Sequence, residues 1–334
     1  MIGERLREHP LPLPLEVRCP ADIAEVLAGA FPRNTRFRTP IRRSQPRFVR
    51  IAYQQVVAPL RDARTTLLVC LGDQAPLWGR ARVLLVVNDV RRFAAAKTSG
   101  RLEAWFYRFV MPRAARRAHS LVTISEATRV DLERLVGRRA ALIAHHPLPR
   151  HYAPSRGESH LLIVGALRPY KGIETALRAL AELPAPTRPL VVFAGPVEGK
   201  LDAFRTEAEC LGVGESVRFV GWVSEDELDE LRRTALGTVN PSTYEGYGLA
   251  VAESLGYGLP TVASDIPAHR EVAGEAALYF PPGDSGALAD RINRVCADDG
   301  LRLRLAAASL ARARQLALGE PSWRALLLDA VGID

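Results

Sequence analysis

The most informative segment of the chain reads Tyr244-Glu245-Gly246-Tyr247-Gly248-Leu249-Ala250-Val251-Ala252-Glu253 and continues Ser254-Leu255-Gly256-Tyr257-Gly258-Leu259-Pro260. An apolar run that ends near Ser242 predicts a strand before this segment, and a helix is predicted to start near Gly248. The glycines at positions 246 and 248 permit a sharp turn and let the backbone approach a ligand closely. In such a turn the free N–H groups and the positive dipole end of the helix face the carboxyl edge of the strand. The segment therefore predicts an anion site.

Two acids, Glu245 and Glu253, flank this predicted anion site. A carboxylate is a poor partner for a phosphate, but it accepts hydrogen bonds from sugar hydroxyls. A nucleotide sugar carries hydroxyls on both sides of its diphosphate, so the pair of acids matches its layout. The plainer alternative, two solvated glutamates, stays open, because glutamates eight residues apart are common in proteins.

Short apolar runs alternate with amphipathic stretches on both sides of this segment. In the second half of the chain, strands are predicted at 161–167, 190–195, 217–222, 237–242 and 260–265. Helices are predicted at 171–183, 225–234, 285–298, 300–317 and 321–331, and Ser224 with Glu227 forms a capping box before the second of them. This alternation predicts a parallel, doubly wound sheet whose ligand lies beyond the carboxyl ends of the strands.

The first half of the chain shows the same alternation less regularly. Strands are predicted at 65–70, 82–89, 120–125 and 140–147, and Ser125 is predicted to cap a helix. A further helix is predicted from 101 to 111, ended by Pro112. The chain is therefore expected to be an α/β protein with two domains, residues 1–153 and residues 154–320. The last segment, 321–334, is an additional helix for which packing against the first domain is an option.

Composition excludes several classes of protein. The 334 residues are 48% hydrophobic and 25% charged, which is enough for two cores. No apolar run approaches the ~18 to 20 residues that span a bilayer, and the opening MIGERLREHP carries charge, so a cytoplasmic protein is expected. No D-x-D pair or H-E-x-x-H motif is present, and no metal site is predicted. The four cysteines are expected to be buried reduced thiols; they are Cys19, Cys70, Cys210 and Cys296.

The two halves of the chain carry opposite charge. Residues 1–150 hold 27 Lys and Arg against 12 Asp and Glu, whereas the remainder holds 18 against 25. The basic half suits a phosphate-bearing partner, an anionic membrane face or nucleic acid. Nucleic acid is disfavoured because the arginines are scattered and no recognisable motif is present. Peripheral membrane contact through Arg113, Arg116 and Arg117 stays open, against the plainer alternative that the aromatic residues Trp105, Phe106 and Phe109 are core.

Two cations, Arg168 and Lys171, follow the first strand of the second half in V-G-A-L-R-P-Y-K-G, residues 164–172. They lie on a loop that opens a helix, at the same predicted sheet edge as the two acids. Cations in that position would complement a diphosphate and stabilise the charge that develops as it departs. The alternative that both are ordinary surface cations stays open.

Residues 161–284 resemble the nucleotide-sugar domain of retaining GT-B glycosyltransferases of the group 1 or family-four type, which include mannosyltransferases. The motifs R-P-Y-K-G-I-E, F-V-G-W-V-S-E-D-E-L, the segment 244–260 continued by T-V-A-S-D-I-P, and G-E-A-A-L-Y-F-P-P-G-D match that family in order. Glu245 and Glu253 take the positions of its E-x7-E motif. The first half resembles the acceptor domain more thinly, through G-D-Q-A-P-L and residues 108–132. The resemblance implies a GT-B fold, two Rossmann-like domains with doubly wound parallel sheets facing a cleft.

The resemblance also implies a role for each residue of the predicted site. Glu245 would contact the donor hexose, Glu253 would bind the ribose hydroxyls, and Arg168 and Lys171 would bind the diphosphate. Asn88 stands where many members have a histidine that touches the donor sugar, and Asp89 is the one nearby candidate for a base. Further donor contacts are implied at Val223, for the base, and at Gly246, Tyr247, Gly248 and Leu249.

The implied reaction transfers a hexose from a nucleoside-diphosphate sugar, GDP- or UDP-linked, with retention of configuration and without a metal or other cofactor. The implied acceptor is a glycan or a lipid-linked sugar of polysaccharide or glycolipid biosynthesis, reached in the cytoplasm or at the inner membrane face. Three departures from the family are apparent: the opening residues lack its strand and glycine loop, Asn88 replaces a histidine, and Ala166 replaces an arginine. Two alternatives therefore stay open, a catalytically weak or inactive subunit that binds nucleotide sugars, and a nucleotide-sugar epimerase.

Overall fold

A computed structural model describes residues 16–18, 35–38, 53–57, 60, 67–71, 75–91, 106–142, 157, 160–196 and 201–318. The chain divides into two compact units, Met1–Pro147 with Glu320–Asp334, and Leu148–Gly319. The helix and packing predicted for 321–334, and the domain limit predicted at 153, fall outside the described residues and stay predictions.

The first unit contains a parallel four-stranded sheet whose strands are adjacent in chain order. The strands are β3 (Leu67–Leu71), β4 (Arg82–Val87), β5 (Ser120–Thr123) and β6 (Ala141–Leu142), and a separate parallel pair is formed by β1 (Glu16–Arg18) and β2 (Arg36–Arg38). Its described α-helices are α1 (Met111–Arg117) and α2 (Glu126–Val136). The hydroxyl of Ser125 accepts a hydrogen bond from the N–H of Thr128 at 2.9 Å, so the predicted cap of α2 is confirmed.

The helical segment predicted to end at Pro112 continues past that residue. A π-helical turn spans Phe106–Val110, and α1 follows it with Pro112 in its first turn. Proline is compatible with this position because the amide hydrogen it lacks would have no partner within the helix. The expectation that the aromatic run is core is wrong for Phe109, which is 42% exposed, whereas its neighbour Val110 is buried.

The arginines considered for membrane contact make hydrogen bonds within their own unit. Arg116 donates from Nε to the carbonyl of Val136 at 2.9 Å, and Arg117 donates from Nη2 to that of Gly79 at 2.5 Å. Arg113 donates to a carbonyl one turn earlier. Two of the three side chains therefore join α1 to neighbouring segments, and membrane contact stays a prediction. Across the described ranges, no helix combines the length and apolar character needed to cross a membrane.

The second unit is built on a six-stranded parallel sheet. Its strands are β7 (His160–Val164), β8 (Val191–Ala194), β9 (Val217–Gly221), β10 (Ala235–Asn240), β11 (Thr261–Ser264) and β12 (Ala277–Phe280). The spatial order is β12-β11-β10-β7-β8-β9. The chain starts in the middle, extends one side and then returns to extend the other, which is the order of Rossmann folds. The order reverses between β7 and β10, where such folds bind their ligands.

Helices cover both faces of this sheet. They are α3 (Ile173–Glu182), α4 (Leu201–Cys210), α5 (Glu225–Thr234), α6 (Leu249–Gly256), α7 (Pro267–Ala273), α8 (Ser285–Ala297) and α9 (Asp299–Leu318). Alternate residues of β7 point to opposite faces. Leu161 and Ile163 pack in a core with Leu177 of α3, and Leu162 packs in a second core with Tyr257. The α/β, doubly wound character that the sequence predicts is therefore confirmed for this unit.

Most predicted elements of the second unit are present, and the differences are local. The capping box of Ser224 and Glu227 is formed in full before α5. Strand β12 was not predicted; it is a four-residue edge strand, and its short run gives little periodic signal. Cys210, expected to be buried, is exposed because it lies at the carboxyl end of α4 on the face away from the core.

At Gly172 the loop after β7 packs closely against the loop after β10, and a substitution there tests this close approach. Its φ is +69°, and a Cβ atom there would lie 2.0 Å from the carbonyl oxygen of Pro241. Gly212 has a similar φ of +66°, but no described atom lies within 4 Å of its Cβ position. We expect Gly212→Ala to lower the free energy of unfolding by about 1 kcal/mol. Gly172→Ala should cost about 3 kcal/mol, because backbone must also move.

Urea unfolding followed by circular dichroism measures both changes. Equal losses in the two variants would contradict the close approach of the two loops.

Candidate functional site

The candidate site lies where the carboxyl ends of β7 and β10 are side by side. After β7 the chain passes through Gly165 to a 3-10 turn at Pro169–Lys171, and after β10 it passes through Pro241 to Glu245. The N–H of Thr243 donates to the carbonyl of Tyr170 at 2.8 Å. This bond and the Gly172 contact hold the two loops together, so cations from one loop meet acids from the other.

Lys171 and Glu245 form an ion pair across this junction. The Nζ atom of Lys171 donates to Oε1 of Glu245 at 2.7 Å, and the hydroxyl of Ser242 donates to the same oxygen at 2.7 Å. The two charged side chains are 19% and 16% exposed, so water screens the pair only partly. No described residue donates to Oε2 of Glu245, which leaves that oxygen available for a hydroxyl group.

Asn240, the last residue of β10, is a buried polar group beside this pair. A small cavity of about 10 Å³, partly open to solvent, is lined by Asn240, Lys171, Ser242 and Glu245 together with the end of β7. Asn240 is 7% exposed, and its Nδ2 has no acceptor among the described residues. A buried amide without a partner is costly, so the cavity is suited to a water or to a ligand oxygen that would accept from Nδ2.

The amino terminus of α6 faces the same sheet edge. Gly248 precedes its first residue, Leu249, with φ +95°, and a Cβ atom at 248 would lie 3.2 Å from Cδ2 of His269. The first-turn N–H groups of a helix lack partners within the helix, so the strand, glycine loop and helix form the predicted anion-binding arrangement. Gly246 is half-buried and Tyr247 is buried, and burial raises the pKa of the Tyr247 hydroxyl, which therefore stays protonated.

Glu253 lies one turn into α6 and pairs with Arg232 of α5 through Oε2 and Nη2. The side chain of Arg232 is 7% exposed and that of Glu253 is 24% exposed. Burial raises the pKa of the Glu253 carboxyl, and the Arg232 charge opposes that rise. The carbon Cζ of Arg232 lies 5.4 Å from the centroid of the Tyr257 ring. The second acid of the predicted site is therefore held by a buried cation, not by Lys171 or Arg168.

A chain of buried hydrogen bonds connects α7 to Glu245. His269 is 1% exposed, and its Nδ1 lies 3.0 Å from the carbonyl of Ser264 and 3.1 Å from that residue's hydroxyl. A carbonyl only accepts, so Nδ1 carries the proton. The Ser264 hydroxyl donates to the carbonyl of Ser242, whose own hydroxyl donates to Glu245. Burial lowers the pKa of His269, so the imidazole is neutral in the folded protein.

Asn88 and Asp89 belong to the first unit, directly after β4, where Oδ1 of Asp89 accepts from the N–H of Arg91 at 2.9 Å. Arg168 is half-buried at the start of the 3-10 turn. Val223 is half-buried between β9 and the cap of α5. The structure thus brings Lys171 and Glu245 together, and it places Glu253 with a partner that the sequence did not indicate.

Four residues of this arrangement were missed from the sequence: Asn240, Ser242, Arg232 and His269. Asn240 and Ser242 could have been identified from the sequence, because Rossmann folds bind ligands at the carboxyl ends of their strands and both are polar residues at such an end. Arg232 has none, since an arginine on an amphipathic helix is usually solvated. Within the described residues, no cluster of three or more His, Cys, Asp or Glu side chains could hold a metal ion.

This fold and site define an α/β protein of the GT-B class. HepE from Anabaena in complex with UDP superimposes with a TM-score of 0.72 at 18% identity, covering 99% of this chain and 94% of that one. WaaG, a glycosyltransferase involved in lipopolysaccharide biosynthesis, gives 0.68 at 16% identity with the same coverage. The predicted fold class, with two Rossmann-like parallel-sheet units, is confirmed by these similarities.

Residues 149–312 match the family described as glycosyl transferases group 1, so this part of the chain carries a domain of that family. O-antigen chain mannosyltransferase B of Escherichia coli is 33% identical over 162 residues, which are 47% of this chain and 42% of that protein. D-inositol 3-phosphate glycosyltransferase of Nocardioides is 33% identical over 171 residues, 46% of this chain and 37% of that protein. The chain thus spans about two fifths of the length of these two relatives.

His269 should make the stability depend on pH, with a sign that follows from its lowered pKa. As the pH falls below the ordinary value of about 6.5, protons bind the unfolded chain before they bind the folded one. The contribution of the neutral imidazole is complete above that value and is lost as the pH falls towards the lowered pKa. We expect the wild type to lose up to about 1.4 kcal/mol per pH unit more than His269→Asn in this window.

Urea unfolding at several pH values between about 7.5 and 5.5 measures this difference. Asparagine is the matched replacement because its Nδ2 can still donate to the Ser264 carbonyl. Parallel pH curves for the two proteins would contradict a neutral buried imidazole.

Proposed function

We propose that the protein is a glycosyltransferase that moves a hexose from a nucleoside-diphosphate sugar to an acceptor hydroxyl. The observation that carries this proposal is the Lys171–Glu245 pair at the strand-order reversal, beside the amino terminus of α6. It supplies a cation for a phosphate and a carboxylate for sugar hydroxyls within one hydrogen bond of each other. The group 1 family match and the binding of UDP by a structural neighbour support the same substrate class.

The proposed donor contacts follow from this geometry. The diphosphate would lie at the helix amino terminus, between Lys171 and the N–H groups after Gly248, with Arg168 as a second cation on the same loop. The hexose would donate a hydroxyl to Oε2 of Glu245, and the ribose would donate to Glu253. Asn240 would donate its free amide hydrogen to a ligand oxygen or to a bridging water.

The chemical step needs stabilisation of the departing diphosphate. The bond between the anomeric carbon and the diphosphate oxygen breaks, and a bond to the acceptor oxygen forms on the same face of the sugar. The acceptor proton passes to the departing phosphate oxygen. Lys171 and the dipole of α6 are positive groups held in place before the reaction, so they stabilise this charge without reorganising. We infer retention of configuration from the E-x7-E motif and a metal-independent step from these cationic groups.

The acceptor is proposed to be a glycan or a lipid-linked sugar, handled in the cytoplasm or at the inner membrane face. Support comes from the O-antigen mannosyltransferase among the relatives and from the basic first unit, which suits an anionic acceptor. The alternative of a subunit that only binds nucleotide sugars makes a different prediction, donor binding without turnover.

Glu245→Gln tests the proposal, with Glu209→Gln on the exposed face of α4 as its control. A panel of UDP-, GDP- and ADP-sugars in a thermal-shift assay identifies the donor, because a ligand bound by the folded state raises the melting temperature. Glutamine keeps the shape of the side chain but removes the negative charge that strengthens the hydrogen bond from the sugar hydroxyl. Donor affinity should fall about 10- to 100-fold. The rate at which the enzyme releases nucleoside diphosphate should fall by at least the same factor.

The control should match the wild type in both assays. If no nucleotide sugar stabilises the wild type, or if the two variants behave alike, the proposed function is wrong. Anomeric NMR of the product separates retention from inversion.

A further inference from the structure

Arg232 is the most deeply buried arginine in the ion pairs of the described residues, and neither the proposed reaction nor the family motif explains why it lies there. It projects from the last turn of α5 to Glu253 on α6. We propose that Arg232 is a positioning residue, which holds one oxygen of the Glu253 carboxylate and leaves the other facing the ribose of the donor. The inference rests on the proposed function, because it assigns a partner to the acid that binds the nucleoside.

The guanidinium of Arg232 is fixed on several sides. Tyr257 lies against it with its ring, and the Tyr257 hydroxyl donates to Asp229 on the same helix as Arg232. Asp229 also accepts from Nε of Arg233 at 2.6 Å. Tyr257 is itself buried in the core between α5 and the sheet. A side chain held in this way keeps few rotamers, so it can fix the direction of the carboxylate it binds.

The exposures of the two partners indicate which atom of the pair is meant for a ligand. Arg232 is almost fully enclosed, whereas Glu253 keeps about a quarter of its side chain exposed. The contact uses Oε2 of Glu253, and no described residue donates to the other carboxylate oxygen. A carboxylate that accepts from a vicinal diol needs such an oxygen without a protein donor.

The charge of Arg232 also sets the protonation of its partner. Burial raises the pKa of Glu253, and the neighbouring Glu225 of α5 raises it further, while Arg232 lowers it. Without the guanidinium, the desolvation and the Glu225 charge would act unopposed, and the carboxyl would become neutral at a higher pH. A neutral carboxyl offers fewer acceptor sites to the two ribose hydroxyls, so donor binding would weaken as the pH falls.

The test compares Arg232→Met and Arg232→Lys with the wild type, and Arg178→Met, an exposed arginine of α3, is the matched control. Calorimetry with the sugar nucleotide selected by the panel measures affinity between about pH 6 and 8.5, where its diphosphate does not titrate. Arg232→Met should bind about 10-fold or more weakly at the low end and recover as the pH rises. Donor affinity should depend much less on pH in the three proteins that keep a cation at position 232, which are the wild type, Arg178→Met and Arg232→Lys.

A double variant separates positioning from simple support of the fold. In the Glu253→Gln background, replacing Arg232 by Met should change donor affinity less than about twofold, because Arg232 acts through Glu253. This comparison also serves if Arg232→Met alone fails to fold, since removing both charges leaves no unpaired buried ion. A further large loss in the double variant, or a donor affinity of Arg232→Met equal to that of the wild type, would overturn the inference. Failure of the wild type to bind any nucleotide sugar would instead overturn the proposed function.

Discussion

The ion pair between Lys171 and Glu245 is the interaction on which the candidate site depends, and three features of the fold bring the two side chains together. The strand order of the second unit places the ends of β7 and β10 next to each other, and the absence of a side chain at Gly172 lets the following loops touch. Ser242 then adds a hydrogen bond to the same carboxylate oxygen. None of these features is itself charged: two belong to the backbone and one is a hydroxyl group. Together they determine where the two opposite charges meet.

The two acids of the site are treated differently by their surroundings. Glu245 is partnered by a flexible lysine and a hydroxyl, and its support continues through Ser264 to the neutral His269. Glu253 is partnered by a rigid, enclosed guanidinium. Lysine is a mobile point charge and can turn towards a phosphate, whereas a stacked arginine is geometrically fixed. The difference is consistent with one acid at the reacting sugar and the other at the nucleoside, where only orientation is needed.

The sequence predicted the repeating strands and helices of the second unit because short β-branched runs and capping residues are local signals. Ser224 and Glu227 are three residues apart, so their mutual hydrogen bonds can be read directly. Lys171 and Glu245 were each identified from their loops. Their contact, and those of Arg232 and His269, depend on how helices from distant parts of the chain pack, which no local pattern encodes. Pro112 was misassigned for a related reason, since a proline is compatible with either end of a helical segment.

The separation of Lys171 from Glu245 in sequence, 74 residues, has a consequence for how the protein is made. During synthesis β7, β8 and β9 emerge well before β10, so one side of β7 is an unpaired edge until the second half of the sheet arrives. Pairing of β10 with β7 covers that edge and assembles the charge pair in the same event. A nascent or truncated chain that ends before β10 would therefore carry half a sheet whose β7 edge has unpaired N–H and C=O groups. Such an edge favours aggregation and binding by chaperones.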